Sequence, residues 1–210
     1  MSKKKFFFIV FEGAEGTGKS FQINKLYNNL KKKKFKVFKT REPGGSKSAE
    51  QIRKIIFDKR GEKFHKLTDF YLMLAARNEH FINTILPAKK KKIILISDRY
   101  VDSTYAYQVK GNKIDNKINL INNRYITSNL KPDLTIVLKS NYTSASSRLK
   151  KRKNKNKFDR LSKGLYLKIQ NSFIKLYKSN QSRYSLFDSS KNNANLEKKI
   201  YNLVYKKITK

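Results

Sequence analysis

Along the chain, short runs of apolar residues alternate with longer stretches in which apolar residues recur at helical spacing. The short runs, rich in β-branched and aromatic residues, predict five strands: Phe6–Phe11, Phe35–Lys39, Ile93–Ser97, Leu134–Leu138 and Ser185–Phe187. The helical spacing predicts seven helices: Lys19–Lys32, Ser48–Phe57, Thr68–Leu86, Lys117–Ser128, Thr143–Lys151, Leu165–Ser179 and Leu196–Ile208. Because strands and helices alternate, we expect an α/β protein with a parallel five-stranded sheet flanked by helices on both faces.

The length of 210 residues suits one domain over residues 1–210 with a substantial core. The polar, basic stretch Lys150–Lys157 lacks periodicity, which predicts a loop. The start of the chain, Lys3–Lys5 followed by Phe6–Phe11, resembles a secretion signal. However, its apolar run is shorter than the ~7–15 residues of a signal core and leads directly into a glycine motif. We therefore expect a buried strand at this place.

The amino-acid composition limits which sites the chain can form and in which compartment we expect it. The chain contains no cysteine, so it forms neither a disulfide nor a thiolate metal site, and a reducing compartment fits. No apolar run reaches the ~18 residues that a membrane span needs. We expect a cytoplasmic protein without a membrane partner.

The charge is strongly positive: 50 lysine and arginine residues stand against 15 aspartate and glutamate residues, a formal net charge of +35. Such a field attracts polyanions, including nucleotides and nucleic acid, and argues against a cationic ligand. However, the lysines occur all along the chain, often beside asparagine, isoleucine and aromatic residues, as an AT-rich coding bias would place them. We therefore favour solvated lysines as the explanation and expect some nonspecific binding to nucleic acid as a by-product.

A glycine-rich motif, Gly13-Ala14-Glu15-Gly16-Thr17-Gly18-Lys19-Ser20, lies between the first predicted strand and the first predicted helix. It fits the pattern G-x-x-x-x-G-K-[ST], in which main-chain N–H groups and a helix N-terminus hold the phosphates of a nucleotide. Lys19 is expected to reach the β- and γ-phosphates, and the Ser20 hydroxyl is expected to bind Mg²⁺. The motif therefore predicts a nucleoside triphosphate site, but it does not identify the acceptor.

Three further clusters lie at predicted strand ends or in a predicted helix, and an open parallel sheet binds its ligands at the strand ends. Thr40–Gly45 places Arg41 beside a Pro-Gly-Gly turn, in position to grip a phosphate bidentately. At the end of the third strand, Asp98 is placed to hold hydrated Mg²⁺ and Arg99 to neutralise phosphate. In the third helix, small residues before Arg77 allow a flat ligand to approach. Each cluster alone also fits a structural role: a solvated arginine, an ion pair or helix packing.

Taken together, these segments resemble the thymidylate kinase family in its bacterial form. The matching segments are Phe11–Ser20, Thr40–Gly45, Ala75–Arg77, Asp98–Ser103, Ala106–Gln108, Pro132–Thr135, Arg148–Arg152 and Asp159–Arg160. They stand in the family's order and spacing, and the TREPGG and DRYVDS…AYQ motifs are the specific ones. The resemblance implies a P-loop nucleoside monophosphate kinase fold with a basic lid at about residues 150–162. It also implies transfer of the ATP γ-phosphoryl group to dTMP, and a homodimer.

The resemblance further implies roles for individual residues. Arg41 and Arg99 would bind the 5′-phosphate of the acceptor, and Arg77 would donate a hydrogen bond to the thymine O4. The base and sugar pocket would be lined by Met73, Ser103, Thr104, Tyr107 and Gln108, with Glu15 near the 3′-hydroxyl. Asp98 would organise Mg²⁺, and Arg148 would contact ATP at the start of the lid.

The chemistry is expected to need no general base, because the attacking phosphate has a second pKa of ~6 and is already largely deprotonated. It needs alignment and positive charge around the transferred group. The candidates for that charge are Lys19, Arg41, Arg99, Arg152 and Arg160.

The chain departs from the resemblance at several positions. Met73 stands where the family usually carries the phenylalanine that stacks on thymine, and Ser162 stands where an acidic residue is common. Gly16 stands where some members carry an arginine, so we expect lid arginines to supply the missing charge: Arg148, Arg152 and Arg160. The preference between dTMP and dUMP stays open.

Two other functions fit parts of the sequence. A deoxynucleoside kinase of the same architecture would need a base for its hydroxyl acceptor and would not need the phosphate grip around Arg41. A nucleic-acid-binding protein with a vestigial P-loop would explain the charge. However, the lysines form no single stripe, and the aromatic residues fall mainly at core spacing.

Overall fold

The computed structural model describes residues 5–58, 63–152, 158, 161–191 and 193–209. In this part of the chain, five parallel strands form one sheet in the order β2-β3-β1-β4-β5. They are β1 (Phe7–Glu12), β2 (Val37–Arg41), β3 (Ile94–Asp98), β4 (Leu134–Lys139) and β5 (Tyr184–Asp188). The helices are α1 (Lys19–Lys32), α2 (Lys47–Ile56), α3 (Lys66–His80), α4 (Leu86–Lys90), α5 (Val101–Thr104), α6 (Asn116–Ile126), α7 (Tyr142–Lys150), α8 (Lys163–Ser179) and α9 (Ala194–Ile208). Two π-helical segments, π1 (Phe81–Ile85) and π2 (Tyr105–Gly111), continue α3 and α5. The expected α/β fold with a parallel five-stranded sheet is confirmed.

The central strand β1 is buried on both faces, which is why its sequence is almost continuously apolar. Because side chains alternate along a strand, Ile9 and Phe11 face one layer of helices and Phe8 and Val10 face the other. The first layer packs with residues of α1 and α9, among them Leu26, Leu30, Leu196 and Ile200. The second packs with π1 and α4, among them Phe81, Ile85 and Ala88. Truncating a fully buried side chain such as Leu26 to alanine would destabilise the fold by about 2–5 kcal/mol.

The register of the sheet brings polar residues together at its carboxyl edge. Asp98 of β3 pairs with Phe11 of β1 on one side and with Arg41 of β2 on the other. Glu12 follows Phe11 on the same strand. The strand ends therefore carry the acidic and basic groups of two of the three predicted clusters to one edge, while Arg77 of the third lies in α3.

The predicted strands were placed within one or two residues of the observed ones, but all five predicted strands ended one or two residues too early. The predicted helix Thr68–Leu86 is confirmed as α3 up to His80, but beyond that residue the chain forms π1 and then begins α4. The helical segment formed by α5 and π2 was not predicted at all. Because a π-helix does not keep the 3.6-residue period, apolar spacing does not reveal such a segment.

The predicted lid at about 150–162 falls partly outside the described residues, since 153–157, 159 and 160 are not among them. Ser162 caps the N-terminus of α8, where its hydroxyl accepts a hydrogen bond from the Leu165 N–H at 3.3 Å. Within the described part, no helix is both long and apolar enough to cross a bilayer.

Candidate active site

A cavity of about 540 Å³ opens beside the carboxyl edge of the sheet. Most of the predicted site residues that the structure describes line it: Glu15, Gly16, Gly18, Lys19, Ser20, Arg41, Met73, Arg77, Asp98, Arg99, Ser103, Thr104, Tyr107, Gln108, Arg148 and Arg152. Gly13, Ala14 and Thr17 belong to the same P-loop but do not line the cavity, and Arg160 lies outside the described residues. We call Gly13–Ser20 with Asp98 and Arg99 the phosphate end, and we call Met73, Arg77 and Ser103–Gln108 the base end.

The P-loop is shaped by glycines at positions where a side chain would collide with the main chain. Gly13 has a φ of 143°, and a Cβ there would lie 2.3 Å from the Leu138 carbonyl oxygen. Gly16 has a φ of 75°, and a Cβ there would lie 2.5 Å from the Ala145 carbonyl oxygen. The close approach of α7 therefore excludes at Gly16 the arginine that some relatives carry.

Lys19 lies buried inside the loop, and its ammonium group donates hydrogen bonds to the Gly13 and Ala14 carbonyl oxygens, both at 2.9 Å. Burial, together with the nearby Arg99 guanidinium, lowers the pKa of Lys19 to about 8, against the opposing attraction of Asp98. A cation held in this way gains stabilisation from any anion that enters the loop, because burial has removed most of its water.

Ser20 and Asp98 form a small oxygen-lined pair where α1 begins beside the end of β3. The Ser20 hydroxyl donates to Asp98 Oδ2 at 2.9 Å. Asp98 Oδ1 is buried and has no hydrogen-bond partner among the described residues. A hydroxyl beside a carboxylate with an unsatisfied oxygen suits a hard, hydrated cation such as Mg²⁺, which uses few protein ligands. Within the described residues, no group of three or more His, Cys, Asp or Glu side chains is arranged to hold a metal.

Arg99 joins the phosphate end to the base end. Its Nη1 donates to the Gly13 carbonyl oxygen and to the Ser103 hydroxyl, each at 3.0 Å. Its Nη2 donates to Glu15 Oε1 at 2.7 Å and to the Tyr107 hydroxyl at 3.2 Å. Burial opposes its charge, but Tyr107, Glu15 and Asp98 raise the pKa of Arg99 above its ordinary value. Arg99 is therefore a fixed cation.

Glu12 is fully buried behind Arg99 and Ser103. It accepts hydrogen bonds from the Tyr100 N–H at 2.8 Å and from the Ser103 hydroxyl at 2.7 Å. Burial, together with the nearby Asp102, raises the pKa of Glu12 to about 8. Its position fixes the turn that follows β3, and thereby Arg99 and Ser103.

Arg41 lines the cavity at the end of β2, where Glu50 holds its guanidinium bidentately at 3.1 and 2.8 Å. Glu50 also accepts from the Gly45 N–H at 2.9 Å, so the Pro-Gly-Gly turn and Arg41 are fixed by one carboxylate. Just over half of the Arg41 side chain is exposed, which leaves it open to an anion from the solvent side.

At the base end, Arg77 is buried and makes four hydrogen bonds. It donates from Nε to Glu42 Oε2 at 2.7 Å, from Nη1 to Thr104 and Asn123, and from Nη2 to the Tyr100 carbonyl oxygen. Glu42 in turn contacts His80 Nδ1 at 2.9 Å. Burial opposes ionisation of Glu42, but Arg77 and His80 lower its pKa below the ordinary value. Four of the five guanidinium N–H groups are thus engaged, and their partners hold Arg77 at the cavity wall.

The two arginines around the end of α7, Arg148 within the helix and Arg152 just after it, occupy different positions. Arg148 donates to the Gly16 carbonyl oxygen at 3.0 Å and to the Ser189 and Ser190 carbonyl oxygens, both at 2.8 Å. It therefore ties the P-loop to the segment after β5. Arg152 lines the cavity and is exposed.

Sequence reasoning missed several residues that line the cavity, among them Arg53, Phe57 and Phe158. Arg53 donates to the Pro43 carbonyl oxygen at 2.7 Å, and its guanidinium lies 4.6 Å from the Phe57 ring centroid. Burial lowers the pKa of Arg53, and the positive charges of Arg41 and Arg152 add to that effect. The spacing i, i+3, i+7 of Glu50, Arg53 and Phe57 on one helical face was a usable signal. For Phe158 the sequence contained no signal.

Comparison with known proteins gives a consistent result. The sequence model of the thymidylate kinase family matches residues 11–200. The chain is 36% identical over 186 residues to a thymidylate kinase of Mycoplasma capricolum, covering 88% of this chain and 87% of the relative. It is 39% identical over 173 residues to a thymidylate kinase of Caldicellulosiruptor saccharolyticus, covering 81% and 82%. The crystal structure of the thymidylate kinase from Ehrlichia chaffeensis superposes with a TM-score of 0.75 at 26% identity, covering 95% of this chain and 99% of that one.

Proposed function

The chain belongs to the thymidylate kinase family, and on that premise we propose how its cavity transfers the γ-phosphoryl group of ATP to dTMP, giving dTDP and ADP. It is a phosphotransferase with a phosphate acceptor. One observation carries the assignment of its residues: Lys19 and Arg99 donate to the same carbonyl oxygen, that of Gly13, at 2.9 and 3.0 Å. A cation from the start of α1 and a cation from the end of β3 therefore meet at one point of the cavity wall. Their separation is small enough for one transferred phosphoryl group to touch both.

The phosphates of ATP lie in the P-loop, held by its main-chain N–H groups and by the N-terminus of α1. Lys19 turns from the Gly13 and Ala14 carbonyl oxygens to the β- and γ-phosphates. Its lowered pKa supports this exchange, because a charged phosphate satisfies the buried ammonium better than two neutral carbonyl oxygens do. Arg148, held against Gly16 and the segment after β5, bounds the nucleotide on the other side.

Ser20 and Asp98 hold Mg²⁺, a role supported by their hydrogen bond and by the unsatisfied Asp98 Oδ1. When bound there, the ion would neutralise negative charge that develops on the phosphates during transfer. Asp98 is fixed in register between β1 and β2, so it does not have to be ordered when nucleotide binds.

The 5′-phosphate of dTMP lies between Arg99 and Arg41, with Arg53 adjacent. Arg41 is held by Glu50 in the free enzyme, and a dianionic phosphate competes with that carboxylate for the guanidinium. Glu15 lies near the sugar 3′-hydroxyl, and Arg77 and Gln108 face the polar edge of the base, with Met73, Ser103, Thr104 and Tyr107 around it. No protein group removes a proton from the acceptor phosphate, because that oxygen is already deprotonated near neutral pH.

Arg152 and Arg160 supply positive charge to the transferred group from the lid side. For Arg152 the proposal is supported by its position in the cavity wall and by its charge, which lowers the pKa of the nearby Arg53. Arg160 lies outside the described residues and remains a prediction from the sequence. Because a side chain at Gly16 would collide with Ala145, the P-loop cannot carry an arginine there, which supports the lid as the source of this positive charge.

The assignment is tested by a coupled assay of ADP release with a panel of acceptors: dTMP, dUMP, the other nucleoside monophosphates, and thymidine. We expect turnover with dTMP and none with thymidine, which brings no phosphate for Arg41 and Arg99. Turnover with thymidine but not with dTMP would favour a deoxynucleoside kinase. Salt-sensitive binding of nucleic acid without turnover on any acceptor would favour the vestigial P-loop. The ratio of dTMP to dUMP turnover measures the preference left open above.

The homodimer expected from the family is proposed to form through α6. This helix exposes Ile118, Ile121 and Tyr125, which are 37%, 68% and 88% accessible and recur at i, i+3 and i+7 on one face. A second copy of the chain would cover this apolar face. Sedimentation should show a dimer that Ile121→Asp converts to a monomer. A monomeric unmodified protein at micromolar concentration would contradict the proposal. The cytoplasmic location and the nonspecific binding of nucleic acid stay predictions.

A further inference from the structure

Three aromatic rings meet at the base end of the cavity: Tyr107 belongs to the AYQ motif, whereas Phe57 and Phe158 lie outside the motifs of the family. The Phe158 ring centroid lies 5.2 Å from that of Tyr107, with the two ring planes at 73°. It also lies 6.0 Å from that of Phe57, with the planes at 80°. Phe158 lines the cavity together with both neighbours.

Phe158 connects two groups of buried apolar residues that are otherwise separate. One group contains Met73 and Ala76 of α3 and packs with Phe57. The other contains Tyr107 of π2 and Phe173 of α8. A single ring therefore lies between the wall that carries Met73 and the wall that carries Tyr107. The space between these walls is where the proposed function places the nucleobase.

The neighbours of Phe158 are themselves fixed. The Arg99 guanidinium lies 5.0 Å from the Tyr107 ring centroid, and the Arg53 guanidinium lies 4.6 Å from that of Phe57. Cation–π contacts of this kind stabilise the orientation of a ring. Phe158 is thus supported on two sides by rings whose positions are determined by the phosphate-binding arginines.

The residue at position 73, a methionine, explains why a ring nearby matters for base binding. It is 8% exposed, and it stands where relatives carry a phenylalanine that stacks on thymine. A thioether packs against a ring but offers no flat aromatic face to a base. The base end of this chain therefore lacks its usual ring on α3 and holds a different ring, Phe158, close by.

We propose that Phe158 packs against the nucleobase of the acceptor and replaces the missing aromatic contact at position 73. The inference rests on the proposed function, since it assigns a contact in that same site. Arg77 and Gln108 would read the polar edge of the base, and Phe158 would cover its face.

The test compares Phe158→Leu and Phe158→Ala with the unmodified chain in steady-state kinetics. We expect the KM for dTMP to rise about tenfold, toward the lower end of what loss of a base–aromatic stack produces, with the KM for ATP unchanged. The inhibition constant of 2-deoxyribose 5-phosphate, which has no base, should not change. Phe64→Leu is the matched control, since Phe64 is an exposed aromatic residue that does not line the cavity.

A second variant separates base contact from general support of the lid. In Met73→Phe, which restores a ring on α3, the additional change Phe158→Leu should raise the KM for dTMP by clearly less than tenfold. An unchanged or lower KM for dTMP in Phe158→Leu would overturn the inference, the lower value because the ring would then occupy the space of the base. An equal rise in the KM for dTMP and in the inhibition constant of 2-deoxyribose 5-phosphate would also overturn the inference. Each of these results leaves dTMP turnover by the unmodified chain intact, whereas absence of that turnover would contradict the proposed function itself.

Discussion

In the P-loop at the phosphate end of the cavity, Lys19 bonds to the main chain, whereas at the base end Arg77 bonds mainly to side chains of distant elements. Lys19 bonds to two carbonyl oxygens of its own loop, and Gly13 and Gly16 are fixed by backbone approach from β4 and α7. At the base end, Arg77 reaches Glu42, Thr104 and Asn123, which lie 35, 27 and 46 residues away along the chain.

The difference shows which end tolerates change of sequence. A site built from main-chain groups depends on backbone conformation, so only a few positions need a particular residue. A site built from side chains can be rebuilt when one residue changes, provided that a neighbour fills the same volume. Gly16 illustrates the first case, where α7 leaves no room for a side chain. Met73 illustrates the second, where Phe57 and Phe158 lie close enough to compensate.

The strongest test of the phosphate end is Lys19→Ala. We expect kcat to fall roughly a thousandfold or more, because the variant removes the one buried ammonium of the loop, the group assigned to the β- and γ-phosphates. The melting temperature should stay close to that of the unmodified chain, since Lys19 bonds only to carbonyl oxygens that water can also satisfy. Lys31→Ala, an exposed change on the same helix, is the control. Near-normal turnover in Lys19→Ala would remove Lys19 from its role.

The next largest effect is expected at Arg99, which belongs to both ends. Arg99→Ala should lower kcat/KM for dTMP about a hundredfold through loss of phosphate contact. It should also destabilise the fold by about 3–5 kcal/mol, because Glu15 then remains buried without its ion-pair partner. Chemical denaturation measures the second effect independently of activity. If stability were unchanged, the claim that Arg99 joins the two ends would be wrong.

The same contrast explains what the sequence could and could not predict. All residues of the P-loop were predicted, because they are contiguous in the sequence and lie between a strand and a helix. The ends of β1, β2 and β3 were missed by one or two residues. There, parallel pairing continues through Glu12, Arg41 and Asp98 after the apolar pattern has stopped.

The base end was less predictable. Its residues in α5 and π2 were found from the resemblance alone, since the π-helical geometry hides their spacing. The helical spacing of Arg53 from Glu50 placed both on one face of a helix, but this spacing was not used. Phe158 became visible only in the folded chain, because its place depends on contacts with Phe57 and Tyr107, about 100 and 50 residues away.

A smaller effect is expected for Arg152→Ala, which tests whether charge from the lid side acts on the transferred group. We expect kcat to fall about tenfold, less than for a single buried donor, because Lys19, Arg41 and Arg99 share the charge. The KM for dTMP should change less than kcat. Lys150→Ala, an exposed change two residues away that does not line the cavity, is the control. A change in KM larger than that in kcat would place Arg152 in ground-state binding instead.

The smallest expected effect is a pH dependence at the phosphate end. Burial lowers the pKa of Lys19 to about 8, so the free enzyme loses this charge as the pH rises through that value. ATP binds the protonated form, and its Kd should therefore rise about threefold between pH 7.5 and 8.5. Calorimetry without acceptor measures it directly.

Glu12 complicates this measurement, because burial also raises its pKa to about 8, and the negative charge that it gains would weaken ATP binding over the same range. Lys19→Arg separates the two groups, since a guanidinium stays charged throughout. If Lys19 is the titrating group, the variant should bind ATP with a Kd that is flat across this range. If the pH dependence persists in Lys19→Arg, Glu12 is responsible, and the charge that controls nucleotide binding lies behind the loop and not within it.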